Sequence, residues 1–303
     1  MTYSSGSLIT PADYNTFATD TNTVWGTGSN SDGYGQTNTI STVTGGNTIT
    51  ATQWATLLAR ITSAANHSGT SITAITSPTV GDTISAYAAL ATNISAISNN
   101  NAAASGSDAS ASTTTTTAWA ASATTTKTIT FASYNQLRYF FNSGGMIRIG
   151  FSRSGGTTSD QNTSWTNLLS NAGTIVLTGE GAPGSTKTIA GTTYEGTTKI
   201  GGGGTATTLA EGVGAYNLTG SNQTLFQQYS TTYTYTANYV KIDASISGSV
   251  ITFSVELIDT GGSGIDNVDG TLSMTTTIRQ PSTTYITNTW GSITQNSASW
   301  TLT

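Results

Sequence analysis

Apolar and polar positions change period along this chain, and the change divides it. Over about residues 1–100, apolar side chains recur every three or four positions, the spacing of one helical face. Tyr14, Phe17, Thr21 and Val24 form one such face, to which Thr21 adds only a methyl group. Thr10 precedes it as an N-cap. Pro11 fills the first helical position, where a missing N–H costs nothing, and Asp13 can reach back to the cap. Gly26 ends the run. After a Gly/Ser/Asn loop containing Tyr34-Gly35-Gln36, Thr50 and Gln53 form a capping box. Trp54, Leu57, Leu58 and Ile61 follow as its apolar face, and His67-Ser68-Gly69 closes the segment. A third helix is predicted over 82–98, capped by Asp82, with Ile84, Tyr87, Leu90 or Ala91, Ile94 and Ile97 in a seam. That seam reads either as a short coiled coil or as a helix packed on the first two.

Residues 101–127 are rich in Ala, Ser and Thr and read as a linker, with Trp119 as a docking point. At 129–135, Ile-Thr-Phe-Ala-Ser-Tyr-Asn repeats the Ile-Thr-x-x-polar-aromatic pattern of 9–14 and 49–54. It predicts a short helix bearing Leu137, Phe140 and Phe141, and raises either an internal duplication or a common capping device. Further on, the period shortens to two. Met146–Phe151 and 173–177 read as buried strands, separated by a helix that starts at Ser159 or Asp160 and turns Trp165, Leu168 and Leu169 inward. Residues 180–230 read as a Gly-rich surface insertion. Val240, Ile242, Ala244 and Ile246 alternate, Ser247-Gly248-Ser249 turns, and Ile251, Phe253, Val255 and Leu257 alternate back as a hairpin. Leu272 to Ile278 gives another half-buried strand, and Trp290 and Trp300 are expected in short terminal strands. The expected fold is α+β. A small N-terminal helical region, 1–100, precedes a larger, mainly antiparallel, sandwich-like β domain with a few short helices, 128–303.

Composition changes the functional picture. Only 8% of the 303 residues are charged, against roughly 25% in an average domain, so the surface must be covered by Thr, Ser and Asn. Such a surface suits β-structure and repels its own copies little, which favours a homo-oligomer, a trimer or a ring. A net charge of −5 argues against nucleic acid as a partner. The absence of cysteine excludes disulfide frameworks and thiolate metal sites. No apolar run is long enough for a membrane span, and Met1 to Ser7 carries no Lys or Arg, so folding in the cytoplasm without a leader is expected.

Candidate chemistry is sparse. His67 has no nucleophile elbow near it and reads as a helix-end histidine on terminal carbonyls. Glu180, Glu195, Glu211 and Glu256 have no spacing that supports a catalytic pair. The run 261–269, Gly-Gly-Ser-Gly-Ile-Asp-Asn-Val-Asp, fits one calcium-binding nonapeptide. Asp259, Asp266 and Asp269 are the oxygen ligands it would offer, and a hairpin loop turning at Asp269-Gly270 is the alternative reading. The glycine row 201–204 lacks the Lys-Ser/Thr ending of a phosphate loop. No catalytic residue, cofactor or metal ligand is therefore assigned.

Leu8-Ile9-Thr10-Pro11-Ala12-Asp13-Tyr14-Asn15, Gly33-Tyr34-Gly35-Gln36, and Ile49-Thr50-Ala51-Thr52-Gln53-Trp54 followed by His67 resemble the opening of virion structural proteins of marine and cyanobacterial tailed phages. Phe140-Phe141-Asn142-Ser143-Gly144-Gly145-Met146-Ile147-Arg148, with Asn162-Thr163-Ser164-Trp165, resembles their later part. The resemblance implies a non-enzymatic subunit of the tail, baseplate, neck or fibre, assembled in the host cytoplasm and partnered by other virion proteins. Its N-terminal helices would then be the anchor. The alternative is a receptor- or glycan-binding adhesin, in which Tyr233, Tyr235 and Tyr239 stack on a host-surface glycan.

Overall fold

The computed structural model describes residues 9–79, 86–100, 105–180, 186–260 and 267–303. Helices α1 (Pro11–Trp25) and α2 (Ala51–Ser68) start where their capping residues predict. Asp13 N donates to Thr10 Oγ1 at 3.3 Å while Thr10 N donates to Asp13 Oδ2 at 2.9 Å. Gln53 N and Thr50 N make the same reciprocal pair, at 3.2 and 2.9 Å. Each box satisfies two backbone N–H groups at a helix start, where no intrahelical acceptor exists. Helix α3 (Tyr87–Asn99) starts at Ala86 without a side-chain cap, and the expected cap Asp82 and seam residue Ile84 lie outside the described residues. Tyr87, Leu90, Ile94 and Ile97 are buried, and α3 packs on both α1 and α2. The seam thus serves packing within the chain. Phe17 meets Tyr87 edge-on at 4.9 Å, and Tyr14 meets Trp54 at 5.5 Å.

Two antiparallel sheets make the β body. In the first, β1 (Ser105–Thr115) lies beside β12 (Thr271–Pro281), then β3 (Met146–Ser154), β4 (Thr174–Leu177) and β7 (Thr197–Ile200). In the second, β13 (Thr294–Gln295) and β14 (Thr301–Leu302) both pair with β2 (Ser122–Thr130). Next come β11 (Val250–Ile258), β10 (Tyr239–Ser247), β9 (Gln223–Tyr229) and β8 (Thr208–Leu209). A separate hairpin joins β5 (Lys187–Ile189) to β6 (Thr192–Tyr194). Leu272, Met274 and Ile278 of one sheet and Ile251, Phe253, Val255 and Leu257 of the other belong to one buried core. This is the expected α+β architecture, and alternation put one face of each strand inside. Helix α5 (Asp160–Ala172), capped by Ser159, touches β3 of the first sheet and β9 and β10 of the second. Its Trp165 lies edge-on to Trp119 at 4.8 Å.

Four expectations are corrected. The linker assigned to 101–127 holds strands: β1 pairs along its length with β12, and β2 is flanked by β11 and the C-terminal strands. Low hydrophobicity hid them, because their stability comes from partners distant in sequence rather than from their own apolar side chains. The supposed insertion 180–230 supplies β7, β8 and β9, and β9 puts Leu225 and Phe226 into the core. Ile129 and Thr130 end β2, and Ser133 caps α4 (Tyr134–Asn142) by accepting from Gln136 N at 3.2 Å. The expected short helix bearing Leu137, Phe140 and Phe141 is present, but the Ile-Thr pair before it ends a strand, so the third pattern matches the first two in residues and not in structure. Neither Trp290 nor Trp300 lies in a terminal strand: Trp290 is fully buried at a bend, and Trp300 stands just before β14.

Polar side chains bind the helical region to the β body. The loop after α1 carries Asn30 in a left-handed conformation (φ 51°), and α4 covers its carbonyls. Arg138 donates to Asn30 O at 2.9 Å, Asp32 O at 3.0 Å and Thr27 O at 3.4 Å. Asn142 donates to Asp32 O at 2.8 Å and Gly33 O at 3.1 Å. Gly35 (φ +73°) passes so close to the Tyr139 ring that a Cβ there would collide with it. Gln36 pairs with the backbone of Thr287, donating to its O and accepting from its N, both at 3.0 Å. The C-terminal segment joins the edges of the two sheets: β13 and β14 lie on β2, while Gln295 and Trp300 donate to Ala109 O and Thr113 O of β1. Among the described residues, no helix is long and apolar enough to cross a membrane.

Candidate functional site

The residues singled out in sequence for chemistry are mostly occupied in fastening the fold. His67 is fully buried, and its ring lies edge-on to Tyr34 at 5.0 Å. Its Nε2 sits 3.1 Å from Ser143 O, a carbonyl at the C-terminal end of α4. A carbonyl only accepts, so Nε2 carries the hydrogen. His67 thus reaches a terminal carbonyl, but of α4 and not of its own helix. Burial pulls its pKa down to about 4, against a smaller upward pull from the Ser143 carbonyl.

Asp259 and Asp269 flank the glycine-rich loop and clamp the start of α5. Asp259 accepts from Trp165 Nε1 at 3.0 Å and from Gln161 Nε2. Asp269 accepts from Thr157 N at 3.0 Å, Thr157 Oγ1 at 3.1 Å, the Arg153 guanidinium at 3.3 Å and Asn162 Nδ2. The Thr157 N–H foremost, with Asn162, the Thr157 hydroxyl and Arg153, holds the Asp269 carboxyl below its usual range despite some desolvation. Asp266 lies outside the described residues. A calcium ion would have to displace these donors from Asp269. The melting temperature in millimolar calcium should therefore stay within about 5 °C of that in EDTA, as scanning fluorimetry checks. A larger rise would mean that the loop gathers a cation after all.

Glu180 pairs with Lys187 at 3.3 Å, Glu256 with Lys241 at 3.0 Å, and Glu211 is exposed. Glu195 uses its backbone, donating N–H to Thr198 Oγ1 at 3.0 Å. Among the described residues, no three His, Asp or Glu side chains gather where they could hold a metal. In the glycine row, Gly203 O and Gly204 O accept from Lys199 Nζ at 3.1 and 3.0 Å. That loop presents carbonyls to a cation, the opposite polarity to a phosphate cradle.

The outward face of the second sheet is different, because it combines exposed rings with fixed polar groups. Alternation that buries Val240, Ile242, Val255 and Leu257 turns Tyr239, Lys241, Glu256 and Ile258 outward. Register aligns Thr124, Glu256, Lys241 and Gln227 in one row across β2, β11, β10 and β9. The next row holds Ser122, Ile258, Tyr239 and Tyr229. The Tyr229 and Tyr239 rings are 5.3 Å apart and tilted by 53°, and Tyr229 is 37% exposed. Gln227 Nε2 donates to the Tyr229 hydroxyl at 3.2 Å. Lys241 Nζ is held 3.0 Å from both Asp243 and Glu256. Burial lowers its pKa, but hydrogen bonds to Glu256 and Asp243 outweigh that and leave it raised.

Beside this row, β13 and β14 leave a groove of about 490 Å³ over β2. Thr124, Thr126, Ser254 and Glu256 line it together with Asn296 to Ser299. Of the tyrosines read from the sequence, Tyr239 lies on this face. Tyr233 is 53% exposed in the β9–β10 connection, in a left-handed conformation (φ 56°), and Tyr235 is half-buried in the same connection. Tyr229, missed in sequence, faces Tyr239 directly. The two-residue step from Gln227 to Tyr229, opposite Lys241 and Tyr239, was the available signal.

The chain matches no protein-family model, and no curated protein or solved structure resembles it at significant similarity.

Proposed function

We propose that the protein is a non-enzymatic structural subunit of a tailed-phage virion, placed in the tail, baseplate or neck, with α1–α3 as its anchor. The observation that carries this reading is the outer face of the first sheet. There β1 and β12 pair hydroxyl with hydroxyl: Ser110 with Thr277 at 2.8 Å, Ser112 with Thr275 at 3.1 Å, Thr114 with Ser273 at 3.4 Å. At one end of that face Asp108 sits between Arg148 and Arg279, at 3.1 and 3.3 Å, which leaves one positive charge in excess there. The strip of paired hydroxyls beyond that end carries no charge and can lie against a neighbouring subunit without stripping water from an ion. Resemblance to phage structural proteins and the weakly charged surface support the same reading, including a trimer or a ring.

The test is made on particles of the phage that encodes the chain. Mass spectrometry of gradient-purified virions should find it in stoichiometric amount, and gold-labelled antibody should decorate one fixed position. Presence in the infected-cell lysate but absence from the purified particle would overturn the proposal.

A further inference from the structure

We infer that the outward face of β2, β11, β10 and β9 binds a neutral saccharide. Three features of that face meet within one register. The tilted Tyr229–Tyr239 pair, with Ile258 beside it, offers apolar surface at one end of the face, next to a row of polar side chains. The neighbouring row, Thr124, Glu256, Lys241 and Gln227, offers donors and acceptors in alternation. The groove beyond it adds the hydroxyls of Thr126 and Ser254 and the chain from Asn296 to Ser299 as a wall. From β2 to β9 the face is about 15 Å wide, three strand spacings, enough for more than one sugar ring.

A pyranose has the complementary chemistry. Its axial C–H face is apolar and lies against an aromatic ring, and its rim of hydroxyls both donates and accepts. The polar groups are already positioned. Gln227 is tied to the Tyr229 hydroxyl, Thr224 Oγ1 donates to Asp243 at 2.8 Å, and Lys241 is fixed between two carboxylates. Little side-chain freedom remains to be lost on binding.

Charge selects the class of ligand. The single Lys241 faces Glu256 in its own row and Asp243 in the next, so the three groups together carry one excess negative charge. An acidic polysaccharide or a nucleic acid is repelled there, and a neutral sugar is not. A peptide strand would need an open sheet edge, whereas the backbone across this face is already paired on both sides at β11 and β10. The site stands on this face alone and is independent of the virion assignment.

The probe is an array of neutral and acidic glycans, with affinities for retained glycans measured by calorimetry on the full chain. Neutral glycans should be retained and acidic ones not. The double substitution Tyr229→Ala with Tyr239→Ala should weaken binding at least roughly tenfold, with an unchanged circular-dichroism spectrum. Gln227→Ala, which removes nothing from the core, should also weaken it and serves if the double variant fails to fold. Tyr285→Ala, at another exposed tyrosine, should leave binding unchanged. Retention of no neutral glycan, retention of acidic glycans only, or equal affinity in wild type and Gln227→Ala would each overturn the assignment.

Discussion

Arg138→Ala is expected to lower stability by about 4 kcal/mol, measured as a fall in the urea midpoint at unchanged slope. Arg138 is 8% exposed, and its guanidinium donates to three loop carbonyls, those of Thr27, Asn30 and Asp32. Truncation removes the guanidinium from Thr27 O and one of two side-chain donors from Asn30 O and Asp32 O, and a buried group left unpaired costs roughly 1–3 kcal/mol. Asn142 still reaches Asn30 O, Asp32 O and Gly33 O, so the loop is weakened and not released. Arg138→Lys should recover only part of the loss, because one ammonium cannot reproduce the planar fork that spans separate carbonyls. A fall below about 1 kcal/mol, the scale of an ordinary surface change, would mean that water replaces the guanidinium at no cost and that the clamp is not needed.

His67 should make the protein sensitive to acid. Its pKa is about 4 in the folded state, depressed by burial from an ordinary 6.5. As pH falls, the unfolded chain takes up the proton first. The stabilisation is complete above about pH 6.5 and disappears progressively down to about pH 4, with a total of roughly 3 kcal/mol. Nδ1 is buried with no hydrogen-bond partner among the described residues, so a proton added there finds no acceptor among them. His67→Gln keeps a neutral donor and removes the titration. Urea midpoints at pH 7.5 and 5 should diverge for the wild type and converge for the variant, after the shared carboxylate effects are subtracted. Equal pH dependence in both proteins would assign the acid sensitivity to other groups.

Local signals were the readable ones. Thr10 with Asp13 and Thr50 with Gln53 lie three residues apart, and the helix starts they imply depend on nothing distant. The hairpin from Tyr239 to Ile258 was legible because every second residue is apolar over nine residues on each side of a short turn. Strand β1 was not, since Ala109 is exposed, Ala111 is half-buried and Thr113 is the one buried residue of the three, so no apolar stripe announces the strand, and the partner β12 lies far along the chain. Ile129-Thr130 misled because the same dipeptide precedes two helices, and only pairing with β11 makes it a strand end. The roles of Arg138 and Asp269 also escaped sequence reading. Both act on groups more than a hundred residues away, a relation no local pattern encodes. The outward face of β9 and β10 was half legible: Tyr239 lay in an alternating strand, but its pairing with Tyr229 depends on register.

The helices and the β body are expected to melt as one unit, because Arg138, Asn142, Gln36 and His67 fasten the α1–α2 region to α4, to its C-terminal end and to Thr287 of the C-terminal segment. Residues of α1, α2 and α3 also belong to the same buried core as both sheets. Scanning calorimetry of the intact chain at neutral pH tests this most directly. One transition is predicted, with equal calorimetric and van't Hoff enthalpies. Two resolved transitions, with the helical region melting apart from the sheets, would contradict it.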